Sequence, residues 1–191
     1  MKSICYLNGR YMDLSKARIP VLDRGFLFGE GLFETWRTYR GLPYAVDDHL
    51  ERMARSAKKI GIALDTSEPW AERCMELARR NRMLKSDGAV RMTITRGQGP
   101  VSLVVDKTTD PTRLMMFRPL EPTLGKAKRE GVAVHLASVG SGVSEHWRQL
   151  KSLNYLPAIL ARVEAKKRGC FEAVYFTEGQ SGRAGGRGGT V

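Results

Sequence analysis

A lysine standing just ahead of a helix start is the residue of this sequence best placed for covalent chemistry. In Trp147-Arg148-Gln149-Leu150-Lys151-Ser152-Leu153-Asn154-Tyr155-Leu156, Asn154 is placed to cap a helix and Pro157 falls in its first turn. Leu156, Ile159, Leu160 and Val163 then recur at helical spacing until Gly169 stops the run. The partial positive charge of a helix N-terminus, with Arg148 nearby and some burial, lowers an amine's pKa. That favours the neutral form, which attacks a carbonyl carbon to make a Schiff base. On this pattern alone a plain surface lysine is the competing reading, because charged residues near helix ends are common.

Other chemistries find little support. The histidines are His49, His135 and His146, none spaced i, i+4 from another ligand, so no metal site is expected. Cys5, Cys74 and Cys170 are far apart and lack Cys-x-x-Cys pairing, which makes three reduced thiols the expectation. There is no Gly-x-Ser-x-Gly elbow and no phosphate-binding P-loop, and Phe28-Gly29-Glu30-Gly31-Leu32-Phe33 lacks the third glycine of a dinucleotide fingerprint. Lys plus Arg outnumber Asp plus Glu, 32 to 20, for a net charge of +12. That excess permits a non-enzymatic basic nucleic-acid-binding fragment, yet the cations are dispersed, with no aromatic-interleaved stripe, and a solvated basic surface is the simpler reading. No apolar run reaches the roughly 20 residues of a membrane span and no signal-peptide core forms after Met1, so a cytoplasmic protein is expected.

The elements that must position Lys151 read as a mixed α/β chain. Asn8-Gly9, between Ile4-Tyr6 and Tyr11, predicts a β-hairpin with a type I′ turn. Leu32 to Tyr39 reads as a strand, Arg40-Gly41 as a turn into a second strand through Val46, and Asp47 as the cap of a helix. That helix carries Leu50, Met53, Ala54, Ala57 and Ile60 on one stripe and ends at Gly61. A second helix is expected from Ser67, with Trp70, Cys74, Leu77 and Ala78 inward. Ala89 to Thr95, Leu114 to Phe117, Val132 to Leu136 and Phe171 to Phe176 read as strands, and Arg118 to Lys128 as a linker. The expected organisation is an N-terminal α/β domain over 1–120, the beginning of a second domain over 121–178, and a Gly/Arg-rich tail over 179–191 that cannot bury a core.

Three segments together carry a resemblance: Asp23-Arg24-Gly25-Phe26-Leu27-Phe28-Gly29-Glu30-Gly31-Leu32-Phe33-Glu34, His49-Leu50-Glu51-Arg52, and Lys151-Ser152-Leu153-Asn154-Tyr155-Leu156. In order and spacing they resemble signatures of the class-IV aminotransferases, fold-type IV enzymes that include branched-chain aminotransferases, D-amino-acid aminotransferases and aminodeoxychorismate lyases. The resemblance implies pyridoxal 5′-phosphate as cofactor, a small N-terminal α/β domain followed by a larger β-rich one, and a homodimer. It implies that Lys151 forms the Schiff base with the cofactor and moves the substrate's α-proton, that Arg52 grips the cofactor phosphate, and that Tyr155 points its hydroxyl at the cofactor's 3′-oxygen. Phe28, Phe33 and Glu34 match a strand near the active site; core packing, with Glu34 at the surface, is the alternative for them.

The resemblance also sets expectations where the sequence departs from the family. The family's glutamate for the pyridine nitrogen has Gly185 in its place here, while Glu178 of Thr177-Glu178-Gly179 reads as a turn residue. Thr95-Arg96-Gly97-Gln98-Gly99-Pro100 is not followed by the Arg-x-His clamp of the D-amino-acid type. The expected activity is therefore amino transfer from a branched-chain-like amino acid to a 2-oxo acid, possible only in impaired form if the second domain is truncated or altered. Aminodeoxychorismate lyase, releasing pyruvate and 4-aminobenzoate, is the neighbouring alternative.

Overall fold

The computed structural model describes residues 3–104, 110–120, 124–138 and 150–176. They divide into two units, one formed by the residues up to Leu120 together with Leu150–Leu153, the other by the described residues from 124 to 138 and from 154 to 176.

The first unit is a six-stranded antiparallel sheet in the order β2-β1-β6-β5-β3-β4, comprising β1 (Ile4–Leu7), β2 (Arg10–Asp13), β3 (Gly31–Tyr39), β4 (Leu42–Pro43), β5 (Gly88–Thr95) and β6 (Arg113–Pro119). Asn8 and Gly9 take φ of 46° and 88°, which gives the expected type I′ turn and pairs Leu7 with Arg10. Strand period 2 puts Leu32, Glu34 and Trp36 on one face of β3, and Val90, Met92 and Ile94 continue that face on β5. Helices α2 (Val46–Lys59) and α3 (Trp70–Arg80) contribute Leu50, Met53, Trp70, Cys74 and Leu77 to the same core. Trp36 donates its indole N–H to Cys74 Sγ at 3.4 Å, so the largest side chain of β3 is tied to the middle of α3. Trp36 and Trp70 are both almost wholly buried, and loss of either ring would remove about 3–5 kcal/mol of packing.

Several boundaries differ from expectation. The strand expected through Val46 ends at Pro43, because Ala45 turns left-handed at φ 51° and α2 begins at Val46. Asp47 therefore lies with Asp48 inside the first turn, complementing the helix dipole rather than capping it. Asp65 accepts from both the backbone N–H and the hydroxyl of Ser67, which holds Ser67 in a turn and delays α3 until Trp70. A five-residue helix, α1 (Arg24–Phe28), was not expected. Its cap, Asp23, is wholly buried and accepts from Gly25 N, Thr95 Oγ1 and Thr112 Oγ1 at 2.6–2.8 Å, two of them from residues distant in sequence.

The second unit contains α4 (Leu124–Glu130), β7 (Val134–Ser138), α5 (Leu156–Lys167) and β8 (Glu172–Phe176). The segment expected as a linker thus holds a helix, and β7 begins two residues later than its apolar run. β7 and β8 are parallel, with Val134 opposite Glu172, and α5 packs on both. α5 begins after Tyr155, not Asn154, with Pro157 in its first turn. Its stripe of Leu156, Ile159, Leu160 and Val163 is exposed, between 48% and 64%, and Ala165 is the buried residue of the helix. The apolar stripe is thus not the face that this unit buries; small Ala165 marks the side on which α5 approaches its strands. Among the described residues, no helix is long and apolar enough to cross a membrane.

Candidate active site

Lys151 enters the first unit through its backbone. Phe33 N donates to Lys151 O at 2.9 Å and Leu153 N to Gly31 O at 3.0 Å, so residues 151–153 lie along the edge of β3 opposite β5. The approach requires glycine at 31, since a Cβ there would stand 2.6 Å from Ile94 O and 2.7 Å from Leu153 Cδ1. The Lys151 amine lies 5.1 Å from the centre of the Phe33 ring and 3.6 Å from Glu34 Oε2.

Glu34 is the hub of the arrangement. Only 1% of its side chain is exposed, because period 2 turns it inward between Leu32 and Trp36. Arg52 and His49, three positions apart on α2, reach it from the helix layer. Arg52 Nε donates to Oε1 and Nη2 to Oε2, both at 2.6 Å, and His49 Nδ1 lies 2.9 Å from Oε2. Burial by itself would raise the Glu34 carboxyl. The hydrogen bonds from His49 and Arg52 and the charges of Lys151 and Arg52 outweigh it and hold the group down at about 2. The bonds to Glu34 raise the Arg52 guanidinium above its ordinary value. For Lys151, burial lowers the amine and the charges of Arg52 and Arg91 reinforce it, while Glu34 opposes both.

A charged side chain in phase with Leu32 and Trp36, with a His-x-x-Arg pair on the helix that follows, is the sequence signal that marks Glu34; its burial rules out the alternative of a surface Glu34. Tyr155 occupies the N-terminal boundary of α5 in the second unit, half-buried; burial raises the Tyr175 hydroxyl and the charge of Tyr155 adds to that. Arg148, Glu178 and Gly185 lie outside the described residues. Among the described residues, no group of three or more His, Cys, Asp or Glu is arranged to hold a metal ion.

The Lys151 amine thus stands, half-buried, beside a buried carboxylate that is doubly clamped by the Arg52 guanidinium. Residues 31–181 match the family model described as amino-transferase class IV, and the chain belongs to that family. It is 33% identical over 169 residues to the "Putative branched-chain-amino-acid aminotransferase" of Methanocaldococcus jannaschii, covering 88% of this chain and 57% of that protein. It is 32% identical over 174 residues to the aminodeoxychorismate lyase of Bacillus subtilis, covering 91% and 58% respectively. Among solved structures, the branched-chain aminotransferase of Thermoproteus uzoniensis with norvaline superposes with a TM-score of 0.77 at 30% identity, over 93% of this chain and 61% of that one. The chain thus spans less than two thirds of the length of each of these relatives.

Proposed function

We propose that the chain binds pyridoxal 5′-phosphate and transfers an amino group from a branched-chain-like amino acid to a 2-oxo acid. The observation that carries this is the Lys151 amine set 3.6 Å from a carboxylate that also grips Arg52, in a member of the class-IV aminotransferase family. The donor set fits the cofactor. An amine lowered by burial suits condensation with an aldehyde, and Arg52, whose side chain is 41% exposed, offers a guanidinium to a phosphate. Bound here, the cofactor would supply an aldehyde for the amine and a ring able to accept electrons.

Lys151 Nζ would hold the cofactor through its aldehyde carbon and would be the base that moves the substrate's α-proton. Its main-chain seat on β3 fixes the origin of that side chain while the four-carbon stem leaves the amine free to swing. Arg52 would bind the phosphate and Phe33 would supply an apolar wall beneath the amine; the family resemblance assigns the Tyr155 hydroxyl to the cofactor's 3′-oxygen. A homodimer in the cytoplasm is part of the same proposal, resting on the family resemblance.

The test is titration of the chain with pyridoxal 5′-phosphate, reduction with borohydride and mass spectrometry. A pyridoxyl group fixed on Lys151 and 2-oxoglutarate-dependent consumption of a branched-chain amino acid are expected. Absence of the Lys151 adduct overturns the cofactor assignment. Likeness to the Bacillus subtilis lyase favours a second reading, release of pyruvate and 4-aminobenzoate from aminodeoxychorismate by the same lysine, and pyruvate formation without a 2-oxo acid acceptor would select it. Salt-sensitive duplex binding with no adduct would select the basic nucleic-acid fragment instead.

A further inference from the structure

We propose that Glu34 is the positioning residue of this site, its buried carboxylate orienting the Arg52 guanidinium and standing as the counter-charge against which Lys151 gives up its proton. The inference rests on the reading of Lys151 as the carbonyl-binding amine.

A carboxylate with 1% of its side chain exposed is costly unless it is paired, and the pairing here is unequal. Arg52 is clamped by two bonds of 2.6 Å that use both carboxylate oxygens and fix the plane of the guanidinium. Lys151 stands 3.6 Å away, beyond an ordinary hydrogen bond. The short bonds therefore go to a cation that stays charged, and the long contact goes to the cation whose charge must change during condensation. The clamp engages Nε and Nη2; among the described residues Nη1 has no acceptor, so one edge of a fixed guanidinium remains for an anion. The titratable and charged groups around the pair are His49, Asp48 and Arg52 from α2 and Arg91 from β5. Burial, Arg52 and Arg91 all favour the neutral amine, and Glu34 is the group that opposes them.

The experiment is competitive acetylation of the intact 191-residue chain, without cofactor, across a pH series, with the Lys151 peptide quantified by mass spectrometry. In Glu34→Gln the inflection for Lys151 is expected to move to lower pH by about one unit or more, the effect of removing an opposite charge at this range. In the same variant, binding of pyridoxal 5′-phosphate should weaken roughly tenfold relative to binding of phosphate-free pyridoxal, because the change in the amine acts on both aldehydes and only the phosphate depends on an oriented Arg52. An unmoved inflection in folded Glu34→Gln overturns the proposal, as does equal weakening toward both aldehydes. Should Glu34→Gln fail to fold, the double variant Glu34→Gln/Arg52→Met removes both charges of the clamp and is compared with Arg52→Met alone; the downward shift is again expected, and identical inflections overturn it. If the unmodified chain forms no adduct with either aldehyde, the cofactor reading falls while the acetylation profiles still decide the role of Glu34.

Discussion

Two glutamates four residues apart, Glu30 and Glu34, each hold two cationic side chains, and they do opposite things with them. Glu30 accepts from Arg24 Nε at 2.5 Å and from Arg96 Nε. Arg24 Nη1 goes on to the carbonyls of Pro100 and Ser102, and the Arg96 amino groups to those of Gly61 and Ile60. The Arg24 side chain is 3% exposed and that of Arg96 13%. This cluster staples the loop after β5 to α1 and to the end of α2. At Glu34 the burial is reversed, with the carboxylate at 1% exposure and Lys151 and Arg52 at 25% and 41%. The two clusters thus differ in where the remaining donors of their cations go, which on the proposed function separates a structural staple from a reactive site.

The sharpest way to break this contrast is Lys151→Ala. It should abolish the borohydride-fixed pyridoxyl adduct completely while leaving the far-ultraviolet circular dichroism unchanged; an adduct surviving elsewhere in the site would refute the assignment. Glu30→Gln should act on the other side of the contrast. It strands Arg24 almost fully buried without its partner, at a cost of about 3 kcal/mol in urea unfolding, and leaves the acetylation profile of Lys151 in place.

Acid titration separates the two clusters next. The Glu34 carboxyl lies at about 2 against a usual 4.5, so its stabilising effect is fully present above pH about 4.5 and is lost as pH falls toward 2, up to about 3 kcal/mol. Stability curves of the unmodified chain and Glu34→Gln should therefore converge through that window, and parallel curves would remove Glu34 from the acid response. Arg52→Ala should weaken pyridoxal 5′-phosphate binding by about 1.5–3 kcal/mol, roughly ten- to a hundredfold, with the adduct still forming at high cofactor concentration. Equal affinity in a fluorescence titration would take Arg52 out of the site. The smallest effect is expected for Gly31→Ala. The added Cβ presses on Ile94 O and on Leu153, costing about 1–3 kcal/mol and slowing adduct formation by displacing the seat of Lys151.

Much of this was legible in the residues. The Asn8-Gly9 turn, the α2 stripe and the lysine ahead of α5 follow from local rules, and all three are present. What local rules miss is set by distant partners. Helix α1 exists because Thr95 and Thr112 bring hydroxyls to Asp23, which no window of sequence around residue 23 contains. Glu34 is buried because α2 delivers His49 and Arg52 above it, so its charge argued for the surface while its period argued for the core, and the period prevailed. The α5 stripe misled in the other direction, since helical spacing marks an apolar face without saying whether the same unit covers it.

The main-chain bond from Phe33 to Lys151 also has a bearing on how the protein is made. It joins residues more than a hundred positions apart, and every other strand neighbour of β3 comes from the first half of the chain. Closing so long a loop is an entropic cost met only after the local contacts of the sheet and its helices exist. In synthesis the residues of the sheet, of α2 and of α3, Glu34 and Arg52 among them, all precede residue 151. Lys151 is the last of the three charged groups to be made, and the last to be able to join the others.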